Sequence, residues 1–115
     1  MANDKLAEQS MDFAVSIINL VKFLKEKRES IISSQIGRSG TSIGANIREA
    51  FYGHGTADFI AKLQIALKEC SESEYWLELL IESGYWDDQE VLEHCIEVKK
   101  LLIASINTAK SKVVK

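Results

Sequence analysis

Apolar residues recur at steps of three and four in four separate segments of the chain, a spacing typical of amphipathic α-helices. In the first segment the recurring positions are Leu6, Phe13, Ile17, Leu20 and Leu24. Because the connections between the segments are short, we predict an all-α fold, an antiparallel up-down-up-down four-helix bundle. The predicted helices cover about residues 4–28, 34–52, 57–83 and 88–111 of one domain that comprises residues 1–115.

The second segment combines helical apolar spacing with glycines that disfavour a helix. Gly37, Gly40 and Gly44 each cost roughly 1 kcal/mol relative to alanine in a helix interior, so a loop rich in serine and glycine is the alternative. The apolar period through Ile36 and Ile43 is unbroken, which favours the helix. Glycines on a helix also let a neighbouring backbone approach closely, and we predict such a contact here.

The third segment has the most regular pattern, with apolar or small residues at alternating steps of four and three. This heptad spacing is typical of helices that pack nearly antiparallel. The positions are Phe59, Leu63, Ala66, Cys70, Ser73, Leu77 and Leu80. We therefore predict that this helix lies centrally against its neighbours.

Composition and charge narrow the classes of function. The 115 residues include 46% hydrophobic and 27% charged residues, which is typical of a globular rather than a disordered protein. The formal net charge of -3 argues against a stand-alone nucleic-acid binder. No apolar run approaches the roughly 18 residues that span a bilayer. We expect a cytoplasmic bacterial protein with reduced thiols and no membrane association.

No arrangement of residues indicates catalysis. A dimetal site in a helical bundle needs Glu-x-x-His pairs, but Val91 precedes His94 and Phe51 precedes His54 at the position of the glutamate. His94 and Cys95 are adjacent, so on a helix they point about 100° apart and do not pair. The cysteines lie on apolar faces, where a buried core thiol is the expected role. We expect no catalytic residue, no metal and no cofactor, and therefore no enzyme.

A polar stripe on the second helix is the most informative feature. Its members recur at steps of four, four and three: Arg38, Ser42, Asn46 and Glu49. If the second and third helices form a hairpin, Arg38 lies level with about residue 70. Glu69, Ser73 and Glu74 are then its expected partners, because an unpaired charge at a packed boundary is costly. The stripe would fix helix register, within a subunit or at a subunit interface; the alternative is that it binds a ligand or an RNA phosphate.

Two further groups are candidate contact residues. Large aromatic side chains near the end of the third helix are candidates for a protein interface: Tyr75, Trp76, Tyr85 and Trp86. Basic side chains are candidate RNA contacts: Lys22, Lys25, Lys27, Arg28, Arg48, Lys110 and Lys112. The cations that end the first helix also suit the negative end of the helix dipole, which is the alternative role.

The stretch RSGTSIGANIREA from Arg38 to Ala50, followed by Asp58-Phe59 and Glu74-Tyr75-Trp76-Leu77, closely resembles the bacterial four-helix bundle family known as 23S rRNA intervening-sequence proteins. The resemblance covers essentially the whole chain. It implies an antiparallel four-helix bundle that assembles as a homopentamer. It also implies kinship with the accessory variability determinant of diversity-generating retroelements, a basic pentameric barrel that binds a reverse transcriptase and RNA.

Two functions follow from the residues and the resemblance together. The first is a non-catalytic oligomeric interaction protein whose partner is a second copy of itself. The alternative is an RNA-binding accessory factor that acts with rRNA or a reverse transcriptase. The acidic net charge departs from the basic retroelement relatives. It favours the first function, because phosphate contacts supply most non-specific affinity for nucleic acid.

Overall fold

The computed structural model describes residues 2–113, which form four helices. They are Ala2–Glu26 (α1), Ile31–Phe51 (α2), Gly55–Glu82 (α3) and Glu90–Val113 (α4). Each helix packs against the next one along the chain, and α4 returns to pack against α1. The bundle measures 51 × 21 × 20 Å along its principal axes. The prediction of an antiparallel four-helix bundle is confirmed.

One apolar core runs along the bundle and uses the positions that the periodicity predicted. Every recurring apolar residue of α1 is buried, and so is the heptad of α3 from Leu63 to Leu80, while Phe59 is half-buried. The buried residues of α4 are Cys95, Val98, Leu102, Ile106 and Ala109. In the described part of the chain no helix has both the length and the apolar character that crossing a membrane requires.

The helices α1 and α2 approach each other closely at Gly40. A methyl group placed on Gly40 would lie 2.8 Å from Cγ1 of the buried Ile17. At Gly44 the nearest side-chain atom is Oγ of Ser10 at 3.5 Å, an ordinary contact. The predicted close approach at a glycine of α2 is therefore present, and Gly40 is the residue that permits it.

The connection between α1 and α2 lies at residues 27–30, earlier than the sequence predicted. Arg28 has a φ of 62°, in the left-handed region that non-glycine residues seldom adopt. This conformation follows the end of α1 at Glu26. Lys27 and Arg28 consequently lie beyond the helix rather than in its last turns.

Glu29 explains why α2 begins earlier than predicted. Its carboxylate accepts hydrogen bonds from the backbone N–H groups of Ile31, Ile32 and Ser33, at 3.2, 3.1 and 2.7 Å. The hydroxyl of Ser33 donates in return to the carbonyl oxygen of Glu29 at 2.8 Å. The free backbone donors at the start of a helix need such acceptors, so α2 can begin at Ile31.

The starts of α3 and α4 also differ from the predicted boundaries. α3 begins at Gly55, where the backbone N–H of the preceding His54 donates to Oδ2 of Asp58 at 3.1 Å. α4 begins at Glu90, whose N–H donates to Oδ1 of Asp88 at 2.9 Å. In both places the side chain that accepts a backbone hydrogen bond determines where the helix begins.

Candidate functional site

The polar stripe of α2 lies along the boundary with α3. Nη1 of Arg38 is 2.8 Å from Oε2 of Glu69, and Nη2 pairs with Glu72. At the other end of the stripe, Oε1 of Glu49 is 3.3 Å from Nζ of Lys62. Both charged ends of the stripe therefore reach α3 of the same chain, an arrangement that suits a role in fixing the register of α2 and α3.

The middle of the stripe makes only local hydrogen bonds. Oγ of Ser42 donates to the carbonyl oxygen of Arg38 at 2.7 Å, and Nδ2 of Asn46 donates to the carbonyl oxygen of Ser42 at 2.9 Å. These bonds return to the preceding turn of the same helix. Ser42 and Asn46 thus share the face of Arg38 without linking α2 to α3.

Two expected partners of Arg38 contact other residues. Glu74 faces α4, where its Oε1 accepts a hydrogen bond from Nζ of Lys99 at 2.6 Å. Ser73 faces α2 and its hydroxyl lies 2.8 Å from that of Ser39, with both residues fully buried. The prediction for Glu74 is wrong, because adjacent positions on α3 point to different neighbouring helices.

The ion pairs keep their members charged. The pKa of Glu72 is lowered, first by a hydrogen bond from the indole of Trp76, whose Nε1 is 3.1 Å from Oε2, and then by Arg38. Hydrogen bonds to Glu72 and Glu69 raise the pKa of Arg38. The hydrogen bond to Glu74 raises the pKa of Lys99. These shifts are typical of structural ion pairs.

The two cysteines meet in the core between α3 and α4. The Sγ atoms of Cys70 and Cys95 are 3.8 Å apart, and each thiol donates to the other residue's carbonyl oxygen at 3.4 Å. The hydrogen bond with Cys70 and burial raise the pKa of Cys95. A buried protonated thiol is a poor nucleophile and a poor metal ligand. Within residues 2–113 no three His, Cys, Asp or Glu side chains are placed to hold a metal ion together.

The aromatic candidates make two distinct contacts. The rings of Tyr75 and Trp76 pack edge to face with centroids 5.1 Å apart. Trp86 packs against Phe23 of α1, also with centroids 5.1 Å apart. Trp86 therefore joins the connection between α3 and α4 to α1, whereas Tyr75 and Tyr85 remain exposed and available to a partner.

The basic candidates do not form one patch. Lys25 and Arg28 line a cleft of about 600 Å³ between α1 and α2, together with Arg38. Arg48 lines a second cleft between the same helices, and Lys112 lines a third beside the connection between α2 and α3. The remaining candidates are exposed elsewhere on the surface: Lys22, Lys27 and Lys110.

The apolar surface formed by α1 and α2 was missed by the sequence analysis. Met11, Val15 and Ile18 follow one another at steps of four and three on α1, and they are 52%, 53% and 49% exposed. Tyr52, at the end of α2, is 84% exposed and lines the same cleft as Met11. We call this surface the α1/α2 side. The signal in the sequence was a second apolar line beside the core positions of the first helix.

Comparisons with known proteins agree with this fold. The family model described as 23S rRNA-intervening sequence protein matches residues 3–104. A solved structure from Bacteroides thetaiotaomicron, a protein of unknown function from the S23 ribosomal protein family, is 50% identical. The match covers 93% of this chain and 99% of that chain, with a TM-score of 0.90. No curated protein matches the chain.

Proposed function

Because the chain belongs to the 23S rRNA-intervening sequence protein family, we propose that it is a non-catalytic, self-associating interaction protein of the bacterial cytoplasm. The observation that carries this proposal is the exposed apolar surface of the α1/α2 side. The expected assembly is a ring of five copies, and this number rests on the sequence resemblance alone.

The α1/α2 side has the character of an association surface. Met11, Val15 and Ile18 share one face of α1 and are each about half exposed. Single exposed apolar residues are common on proteins, but a continuous apolar patch usually marks a binding site. Covering such a patch is favourable by about 25 cal/mol for each Å² of apolar surface that leaves water. A second copy of the chain is the partner that we propose.

The surroundings of the titratable groups support the non-catalytic part of the proposal. Three carboxylates of α3, those of Glu69, Glu72 and Glu74, are held in ion pairs with Arg38 and Lys99. Each of the two buried thiols donates to the carbonyl oxygen of the other cysteine. His94 contacts an amide, with its Nε2 2.8 Å from Oε1 of Gln9. Each of these groups contacts a structural partner, whereas a catalytic residue would need access to a substrate.

The proposal is tested by the solution mass, measured by light scattering across a range of protein concentrations. We expect a mass several times that of the 12.9 kDa chain. A Val15→Lys, Ile18→Lys variant should have the mass of one copy, because lysines on this face prevent its burial. A mass of one copy for the wild-type protein at every concentration would contradict the proposal.

Ile65→Lys is the matched control for this variant. Ile65 is also exposed and apolar, at 44%. It lies between Lys62 and Glu69 on the face of α3 that pairs with α2, away from the α1/α2 side. Because the substitution has the same chemistry at a different surface, this variant should assemble like the wild-type protein.

The second candidate function is RNA binding. The observation that favours it is the cleft that Lys25, Arg28 and Arg38 line together. Two of its cations have no ion-pair partner among the described residues, whereas the charge of Arg38 is balanced by Glu69 and Glu72. Such a cleft would hold a phosphate through a few charged contacts, so that binding should weaken steeply with salt.

Fluorescence anisotropy with a structured rRNA fragment tests this second function. Binding at about 50 mM salt that is lost in a Lys25→Glu, Arg28→Glu variant would support it. Lys68→Glu is the control, because Lys68 is exposed on α3 outside this cleft. An absence of binding by the wild-type protein at that salt concentration would remove RNA from the proposal.

A further inference from the structure

The two cysteines of the chain face each other across the contact between α3 and α4. Both are free thiols, and their Sγ atoms are 3.8 Å apart. The arrangement is reciprocal, because the Sγ of Cys70 lies 3.4 Å from the carbonyl oxygen of Cys95 and the reverse distance is also 3.4 Å. Since a cysteine side chain is short, such mutual contact requires that the two backbones lie close and that the side chains point toward each other. These are the conditions for a disulfide between two helices.

An ion pair holds α3 and α4 together at the level of the thiols. Glu74 lies one helical turn after Cys70, and Lys99 lies one turn after Cys95. Side chains on a helix point back toward its N-terminus, so both charged groups lean toward the cysteines, and Oε1 of Glu74 meets Nζ of Lys99 at 2.6 Å. The ion pair bridges the two helices beside the thiols and keeps them in register.

Burial keeps the thiols from reacting while the bundle is closed. Cys70 and Cys95 are both fully buried. The pKa of Cys95 is raised by its hydrogen bond with Cys70 and by burial, and a protonated thiol is a poor nucleophile. Oxidation therefore requires a local opening in which α4 separates from α3, a type of motion that costs less free energy than global unfolding. When the helices close again, a sulfur that was modified in the open state returns to contact with the second thiol.

We propose that Cys70 and Cys95 are an oxidation site, at which a hydroperoxide converts the two thiols into a reversible disulfide that cross-links α3 to α4. The dithiol is the resting form in the reducing cytoplasm, where disulfides that do form are usually transient and redox-sensing. Because both thiols lie inside one chain, this inference is independent of the proposed self-association.

The reaction has two steps, and with hydrogen peroxide its by-product is water. In the first step, the sulfur of one cysteine attacks the peroxide, so that an S–O bond forms and the O–O bond breaks. The other peroxide oxygen leaves as water with the thiol proton, and the residue is then a sulfenic acid. In the second step, the other cysteine's sulfur attacks the sulfenic sulfur, the S–S bond forms, the S–O bond breaks, and hydroxide leaves as water with the second thiol proton. The thiols lose two electrons in total, and the peroxide gains them.

The closed bundle favours the disulfide over further oxidation of the first sulfur. The second thiol is held in contact with it, and groups held in this way react as if one of them were at very high concentration. The sulfurs need to approach from 3.8 Å to about 2.0 Å, a movement that rotation of two short side chains supplies. The cross-link closes a loop through residues 83–89 and thereby restricts the unfolded chain, so the oxidised protein should be more stable than the reduced protein.

Intact-mass measurement of the purified full-length protein after treatment with hydrogen peroxide tests the proposal. We expect the chain to lose the mass of two hydrogen atoms, a peptide map without reductant to link Cys70 to Cys95, and dithiothreitol to restore the original mass. Cross-linking should become faster at urea concentrations below the unfolding transition, because opening becomes more frequent. Thiols that stay reduced under these conditions, a gain of oxygen in place of the cross-link, or a disulfide between two chains would each overturn the proposal.

Cys70→Ala and Cys95→Ala are the matched controls, after circular dichroism has established that each variant is helical. With one thiol each, they should gain oxygen and form no cross-link within the chain. The midpoint of urea unfolding gives a second readout. Peroxide should move it to higher urea for the wild-type protein and leave it in place or lower it for either variant. An unchanged or lower midpoint for the cross-linked wild-type protein would contradict a stabilising disulfide.

Cells that express the chain test whether the site responds in the cytoplasm. After brief exposure to hydrogen peroxide, acid quenching and alkylation of the remaining thiols, the peptide that links Cys70 to Cys95 should increase relative to untreated cells. It should decrease again after the peroxide is removed. If the chain in treated cells carries two alkylated thiols, as in untreated cells, the redox response is overturned. The mass of the assembly is measured separately, so this outcome leaves the proposed self-association unaffected.

Discussion

Gly40 permits the close approach of α1 and α2 at Ile17. Gly40→Ala should destabilise the fold by about 1–3 kcal/mol, because the new methyl group would overlap Ile17. This loss occurs although alanine is roughly 1 kcal/mol better than glycine in a helix. Gly44→Ala, which meets only an ordinary contact, should stabilise the fold by up to about 1 kcal/mol. Urea unfolding measures both; an equal gain for the two variants would contradict the close approach.

Ser39 and Ser73 form a buried pair of hydroxyls in the contact between α2 and α3. Ser73→Ala removes the acceptor of Ser39, and a buried hydroxyl that loses its partner costs about 1–3 kcal/mol. Adding Ser39→Ala removes the unpaired group, so the double variant should lose less stability than the two single variants added together. Free energies of unfolding that simply add would mean that the two hydroxyls do not interact.

At the scale of the helix, Glu29 determines where α2 begins. Glu29→Ala removes the acceptor of three backbone N–H groups, and we expect a loss of about 1–2 kcal/mol in unfolding free energy. Glu29→Gln should lose less, because its amide oxygen still accepts, although the favourable charge at the helix start is gone. Glu26→Ala is the control, because Glu26 is exposed at the end of α1. Equal losses for Glu29→Ala and Glu26→Ala would show that the cap contributes nothing.

At the scale of the whole molecule, ion pairs join α3 to α2 and to α4, and they make stability depend on pH. The pKa of Glu72 in the folded protein is lowered from its usual 4.5 by Trp76 and Arg38. The stabilisation that the charged Glu72 contributes is therefore fully present above pH 4.5. It is lost as the pH falls through the lowered pKa of the folded protein, because the unfolded chain binds the proton more readily.

In the Glu72→Gln variant, the free energy of unfolding should consequently depend less on pH in the acid range. We expect the melting temperature of the variant to lie below that of the wild-type protein near neutral pH and to approach it as the pH falls below 4.5 and through the lowered pKa of Glu72. Glu26→Gln serves as the control, because Glu26 is exposed and has no ion-pair partner among the described residues. A difference for Glu72→Gln that stays constant with pH would exclude this origin of the acid sensitivity.

The sequence predicted the candidate site only in part. The hairpin register correctly placed Arg38 near Glu69, since that register follows from helix rise and a short turn. It did not identify Glu72 or the contact of Glu74 with α4, because these depend on how α3 is rotated about its own axis. The predicted start of α2 was wrong because the carboxylate of Glu29 accepts hydrogen bonds from the backbone of the residues that follow it. Glu29 comes directly after Arg28, whose φ is left-handed, and this arrangement has no strong local signature in the sequence.

By itself, the sequence determined the number of helices, the residues of each helix that face the core, and the family. The number of helices and their core faces follow from spacing along the chain, because a regular helix converts a period of three to four residues into one face. The family follows instead from the resemblance of the stretch from Arg38 to Ala50. Only the tertiary structure decided which carboxylate meets which cation, that the thiols of Cys70 and Cys95 lie together, and that Trp86 packs against Phe23 of α1. These features depend on the rotation and order of whole helices around the core, and contacts between residues distant in sequence fix that geometry.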